Sequence, residues 1–113
     1  MCISPVPREK ETEICRKAIA RFGRVNQIMK ALEELAELQR ALARDVPMDA
    51  PEDAEANVCE EIADAEIMLT QLRLLYDPLE INEWKASKLE RLARMVGVEI
   101  GEEGEDEHQR DQT

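Results

Sequence analysis

Apolar residues recur along this chain at intervals of three and four, the spacing of one face of an α-helix. Four such stretches are visible. The first runs from Arg8 to Phe22, with Ile14, Ala18 and Ile19 on its apolar face and Gly23 as the break. The second, from about Arg24 to Arg44, carries Val25, Ile28, Leu32, Leu35, Leu38 and Leu42. Pro47 and Pro51 then mark a loop over 45–55. The third stretch spans roughly Ala56 to Tyr76, through Val58, Ile62, Ala65, Met68, Leu69, Leu72 and Leu75, and Asp77-Pro78 ends it. The fourth runs from about Leu79 to Val96, through Ile81, Trp84, Leu89, Leu92 and Met95, closed by Gly97. No segment alternates apolar and polar residues as a half-buried strand does. The expectation is an all-α protein, a four-helix bundle over residues 8–98. An irregular lead precedes it over 1–7, and an acidic, disordered tail follows over 99–113.

The charged residues change this picture because they do not all lie opposite the apolar stripes. A helix turns about 100° per residue. With Glu61 set at about 0°, Asp64 lies near 300°, Met68 near 340° and Leu72 near 20°. The third helix therefore presents Glu61 and Asp64 on its apolar side, where a carboxylate without a compensating partner is costly. On the second helix Gln27, Lys30, Glu34 and Glu37 form one polar stripe beside the aliphatic one, with Glu33 further round. On the fourth helix the relation is inverted: Lys85, Lys88 and Arg91 interrupt the apolar face near Trp84.

Carboxylate pairs at i, i+3 on two helices put four oxygen-donor groups in reach of one another and offer no nitrogen or sulfur ligand. Such a set suits Mg²⁺ or Mn²⁺ and not zinc. Lys88 and Arg91, with Lys85 and Lys30 beside them, suit phosphate. Gln27 stands on the carboxylate stripe and can hydrogen-bond a nucleotide or serve the fold. Any one of these runs alone is what a solvated helix face looks like; the three together describe a metal-assisted phosphate site.

Composition narrows the partners. The chain has 113 residues and a net charge of −11, with five of those negative charges in residues 101–113. That balance argues against nucleic acid backbones and anionic membranes. No apolar run is long enough to span a bilayer, and no signal peptide is visible. Cys2, Cys15 and Cys59 fit no zinc spacing and read as free thiols of a reducing cytoplasm. Phe22, Tyr76 and Trp84 are the only aromatics, so the core is aliphatic and modest, and a second copy of the chain is expected to complete it.

The segment Gln27–Leu38, QIMKALEELAEL, followed after a loop by Glu60–Leu72, EEIADAEIMLTQL, resembles the MazG-like all-α nucleoside triphosphate pyrophosphohydrolases. Their pattern of E-E-x-x-E, a spacer and E-x-x-D reads here as Glu33-Glu34-Leu35-Ala36-Glu37 and Glu61-Ile62-Ala63-Asp64. Lys85–Leu92, KASKLERL, resembles the basic segment that follows in small members. The resemblance covers about residues 20–96. It implies Mg²⁺ held by Glu34, Glu37, Glu61 and Asp64, with Glu33 as a further ligand or a water-orienting group. It also implies cleavage of nucleoside triphosphate to monophosphate and pyrophosphate, in a homodimer or homotetramer. Two other classes fit the same residues. One is a non-enzymatic helical interaction module, which Mg²⁺ would not stabilise. The other is a nucleotide binder without turnover.

Overall fold

The computed structural model describes residues 3–101. Four helices account for nearly all of them: α1, Arg8–Phe22; α2, Arg24–Asp45; α3, Ala54–Leu75; α4, Pro78–Val96. There is no strand among the described residues. The all-α expectation therefore holds, with helix ends displaced by at most two residues. Cys2 and the part of the expected tail beyond Gly101 lie outside the described residues. None of the helices is long and apolar enough to cross a membrane.

The boundaries follow from local chemistry. A single residue, Gly23, separates α1 from α2; its N–H bonds to the Ile19 carbonyl, and its own carbonyl accepts from Gln27. Its φ of 93° is a left-side conformation that a Cβ would strain. Asp77 precedes a proline and is therefore extended, which ends α3. The same residue starts α4, where its Oδ1 accepts from the N–H groups of Leu79 (3.0 Å) and Glu80 (3.4 Å), with Pro78 in the first turn. Gly97 closes α4 in the αL conformation.

The chain divides into two compact units, one ending at Tyr76 and one starting at Asp77. In the first, α2 and α3 pack most extensively, and α1 lies against both. Helices α2 and α3 are antiparallel. The Arg24 guanidinium at the start of α2 donates to the Leu75 carbonyl at the end of α3 (2.9 Å) and sits over the Tyr76 ring. At the other end Arg44 pairs with Asp53 across the loop (2.9 Å). Thr70 of α3 donates to Glu11 of α1 (2.9 Å). In the second unit α4 is exposed along most of its length, Ile81 and Ala93 being half-buried.

The core corrects one expectation. Its buried apolar residues are Cys15, Ala31, Ala41, Ala54, Val58, Ala65 and Met68. The large aliphatics read as the core of α2 are not there. Val25, Leu32 and Leu42 are exposed, and Ile28, Leu35 and Leu38 only half-buried. Ile62 and Leu69 of α3 are likewise exposed. The fully buried positions of α2 are instead Gln27, Ala31 and Ala41, at the border of the polar and aliphatic stripes, with Glu34 and Leu38 half-buried between them.

Candidate metal centre on the α2–α3 seam

The polar residues of α2 and α3 line up along this seam. Near the start of α2, the Gln27 side-chain amide donates to Gln71 Oε1 of α3 at 2.7 Å, and both residues are buried. Seven residues further along α2 stands Glu34; seven residues back along α3 stands Asp64. Three more steps in each direction reach Glu37 and Glu61. Seven residues are nearly two helical turns, so each helix keeps its polar groups on one side. Antiparallel packing then brings the two sets into line.

Three carboxylates converge. Glu34, Glu61 and Asp64 each offer an oxygen, and these oxygens lie within 4.8 Å of one another. Glu61 Oε1 is enclosed and has no hydrogen-bond partner. Burial pushes the Glu61 carboxyl above its ordinary pKa, and the negative charges of Glu37, Asp64, Glu60 and Glu34 push it further. Oxygen donors are the ligands that hard divalent cations take. The residues present thus fit such an ion, which Glu34, Glu61 and Asp64 could hold together.

The neighbouring acids separate into distinct places. Within the tandem pair, the Glu34 side chain is 12% exposed and the Glu33 side chain 57%. Lys30 bridges them, with its ammonium 2.9 Å from Glu33 Oε1 and 3.2 Å from Glu34 Oε1. The Glu33 hydrogen bond, then the Glu34 one, hold that ammonium above its ordinary pKa. Glu37 is half-buried, near enough to raise Glu61, and its Oε1 is 3.9 Å from the Arg40 guanidinium. Glu33 therefore belongs to the solvent side, and Glu37 to the margin of the cluster.

The remaining expected residues are placed as follows. Gln27 is engaged with Gln71. Lys85, Lys88 and Arg91 are exposed on α4, and the Lys88 ammonium lies 5.7 Å from the Trp84 ring centroid, a cation–π distance. The residue that sequence reasoning passed over is Gln71. A signal for it existed: it lies one heptad from Asp64 and shares its face. Cys15 and Cys59 are both free; burial, then the Glu11 charge, raise the Cys15 thiol pKa. Compared with protein-family models, curated proteins and solved structures, the chain gives no match.

Proposed function

We propose that this chain is a Mg²⁺-dependent nucleoside triphosphate pyrophosphohydrolase of the MazG-like kind, acting in the cytoplasm and releasing (d)NMP and pyrophosphate. The observation that carries the reading is the convergence of Glu34, Glu61 and Asp64 around an enclosed, unpartnered carboxylate oxygen. When bound, the metal would supply a Lewis acid and lower the pKa of a water ligand toward neutrality.

The chain's own residues then have separate tasks. Glu34, Glu61 and Asp64 hold the ion. Glu37, beside them, deepens the negative potential that draws it in. Lys30 is the cation paired with Glu34 and stands on the exposed side of the cluster, where a triphosphate would arrive. There it offsets phosphate charge. Glu33, exposed and tied to Lys30, keeps that ammonium at the rim, and its free oxygen can orient a water.

The test is pyrophosphate release from the common NTPs and dNTPs. Release with Mg²⁺ that stops when the metal is chelated is the expected result. Stabilisation by Mg²⁺ without turnover of any nucleotide would leave a binding protein. A melting temperature indifferent to both Mg²⁺ and Mn²⁺ would leave an interaction module.

The reading includes a homodimer or homotetramer. Val25, Met29 and Leu32, at i, i+4 and i+7 on α2, are 69, 60 and 60% exposed. A second copy of the chain would cover this stripe, as an unpartnered apolar row of this kind calls for. The double substitution Met29→Lys/Leu32→Lys is expected to shift the protein to monomer in sedimentation velocity while its helix content stays unchanged. A wild-type protein that sediments as a monomer at every concentration would remove this part of the reading.

A further inference from the structure

We infer that the buried Gln27–Gln71 pair is a positioning device, which fixes the longitudinal register of α2 against α3 and thereby sets Glu34 against Glu61 and Asp64. This rests on the metal reading of those carboxylates given above.

Apolar packing along the rest of the seam carries little register information. Four of its buried apolar members on the two helices are alanines, Ala31, Ala41, Ala54 and Ala65; Val58 and Met68 of α3 are the larger ones. Alanine surfaces are smooth, and apolar contact has no direction. Sliding one helix past the other by a turn, about 5.4 Å, exchanges one small residue for another over most of this surface and is resisted chiefly at Val58 and Met68. The amide pair has no such freedom. Its 2.7 Å bond is directional and joins two residues that are 8 and 5% exposed. The Gln71 amide is additionally steered by Met68, whose Sδ lies 4.0 Å from Nε2. A one-turn slide would leave both amides enclosed without partners, the costly outcome for a buried polar group. A buried polar group in a helix interface can set register in this way, at some cost in stability.

What links the device to the site is the matched spacing. Gln27 to Glu34 and Gln71 to Asp64 are equal intervals run in opposite directions. Whatever position the amides take along the helix axes is transmitted through two rigid turns to the carboxylates. A cation held by oxygens from both helices is sensitive to displacements far smaller than a turn.

The test separates holding the fold from holding the site. In the full chain, Gln27→Leu or Gln71→Leu alone strands one amide and is expected to lower the urea midpoint. The double Gln27→Leu/Gln71→Leu is expected to restore it to the wild-type value or above. Yet in calorimetric titration with MgCl₂ the double is expected to bind at least about tenfold more weakly, the range for a residue that orients metal ligands. Gln71→Asn keeps the amide but shortens its reach, so the bond re-forms only if one helix shifts along the other; it is expected to lower Mg²⁺ affinity, with a smaller fall in urea midpoint than Gln71→Leu. It gives the answer should the double not fold. Folded variants that bind Mg²⁺ as tightly as wild type would overturn the positioning role while leaving the metal site standing. A wild-type protein that takes up no Mg²⁺ would overturn the metal reading and this role with it.

Discussion

Glu61→Gln is expected to cut Mg²⁺-dependent pyrophosphate release by at least about a hundredfold, and at the same time to make the metal-free protein more stable. The first effect follows from the loss of one charged ligand. A Lewis-acid site contributes several kcal/mol to the barrier, and each 1.36 kcal/mol is about a factor of ten. Asp64→Asn should act in the same direction. The second effect has the opposite sign because the Glu61 carboxyl is desolvated and flanked by other acids. Its pKa is higher in the folded chain than in the unfolded one, so the folded state holds the proton more tightly. The metal-free fold is therefore relieved of this cost when Glu61 is protonated. It loses stability as the pH rises from the ordinary carboxylate value through the raised one. A neutral amide of the same shape escapes the penalty. Urea unfolding with metal chelated should show the variant above wild type at neutral pH, and the difference should shrink as the pH falls through that window. Added Mg²⁺ should reverse the order, because only the wild type binds it, and this stabilisation should fade over the same window as protons displace the ion. A Glu61→Gln protein that retains full activity, or that is less stable than wild type without metal, would remove Glu61 from the site.

Met68→Ala is expected to cost about 2–5 kcal/mol of unfolding free energy, the usual price of emptying a buried Met position. Met68 is 5% exposed and is the largest of the buried apolar side chains, in a core otherwise made of alanine, cysteine and valine. The Gln71 amide also loses its sulfur contact. Since small domains have total stabilities of about 5–15 kcal/mol, this one change threatens the fold. Met29→Ala is the control: the same atoms leave a 60% exposed position on the outer side of α2. Its effect on α1–α3 should be small in a monomeric background. Equal losses for the two substitutions, in denaturation followed by circular dichroism, would contradict the assignment of core and flank.

The sequence made the helices easy to read. Their periodicity is strong, and Gly23, Asp77-Pro78 and Gly97 punctuate them, so the ends fall within two residues of expectation. The carboxylates were legible for a related reason. Glu61 and Asp64 stand on a helix side where water alone does not explain them, and their partners on α2 form a second stripe. What periodicity does not encode is which stripe a neighbouring helix covers. Leu32 and Val25 carry more apolar surface than Ala31, yet Ala31 is buried and they are not. Side-chain size favours exposure to an outside partner as readily as burial within one chain, and only the close approach of α2 and α3 decides between them. The same limit hid Gln71, whose importance comes from a residue 44 positions away. It also blurred Glu33 and Glu34, which are adjacent in sequence but differ several-fold in exposure.

The opposed, equal intervals along α2 and α3 also dictate where this protein can change length. Adding or deleting a residue inside either helix, between its glutamine and its last acid, would rotate everything beyond by about 100° and swing one set of oxygens off the contact line. The connection over 47–52 carries no such constraint, because Arg44 and Asp53 join the two helices at its ends. Insertions and deletions are expected to be tolerated there, and not between each glutamine and its last acid. Distant kin of this chain would thus share its distances between polar residues more faithfully than the residues lying between them.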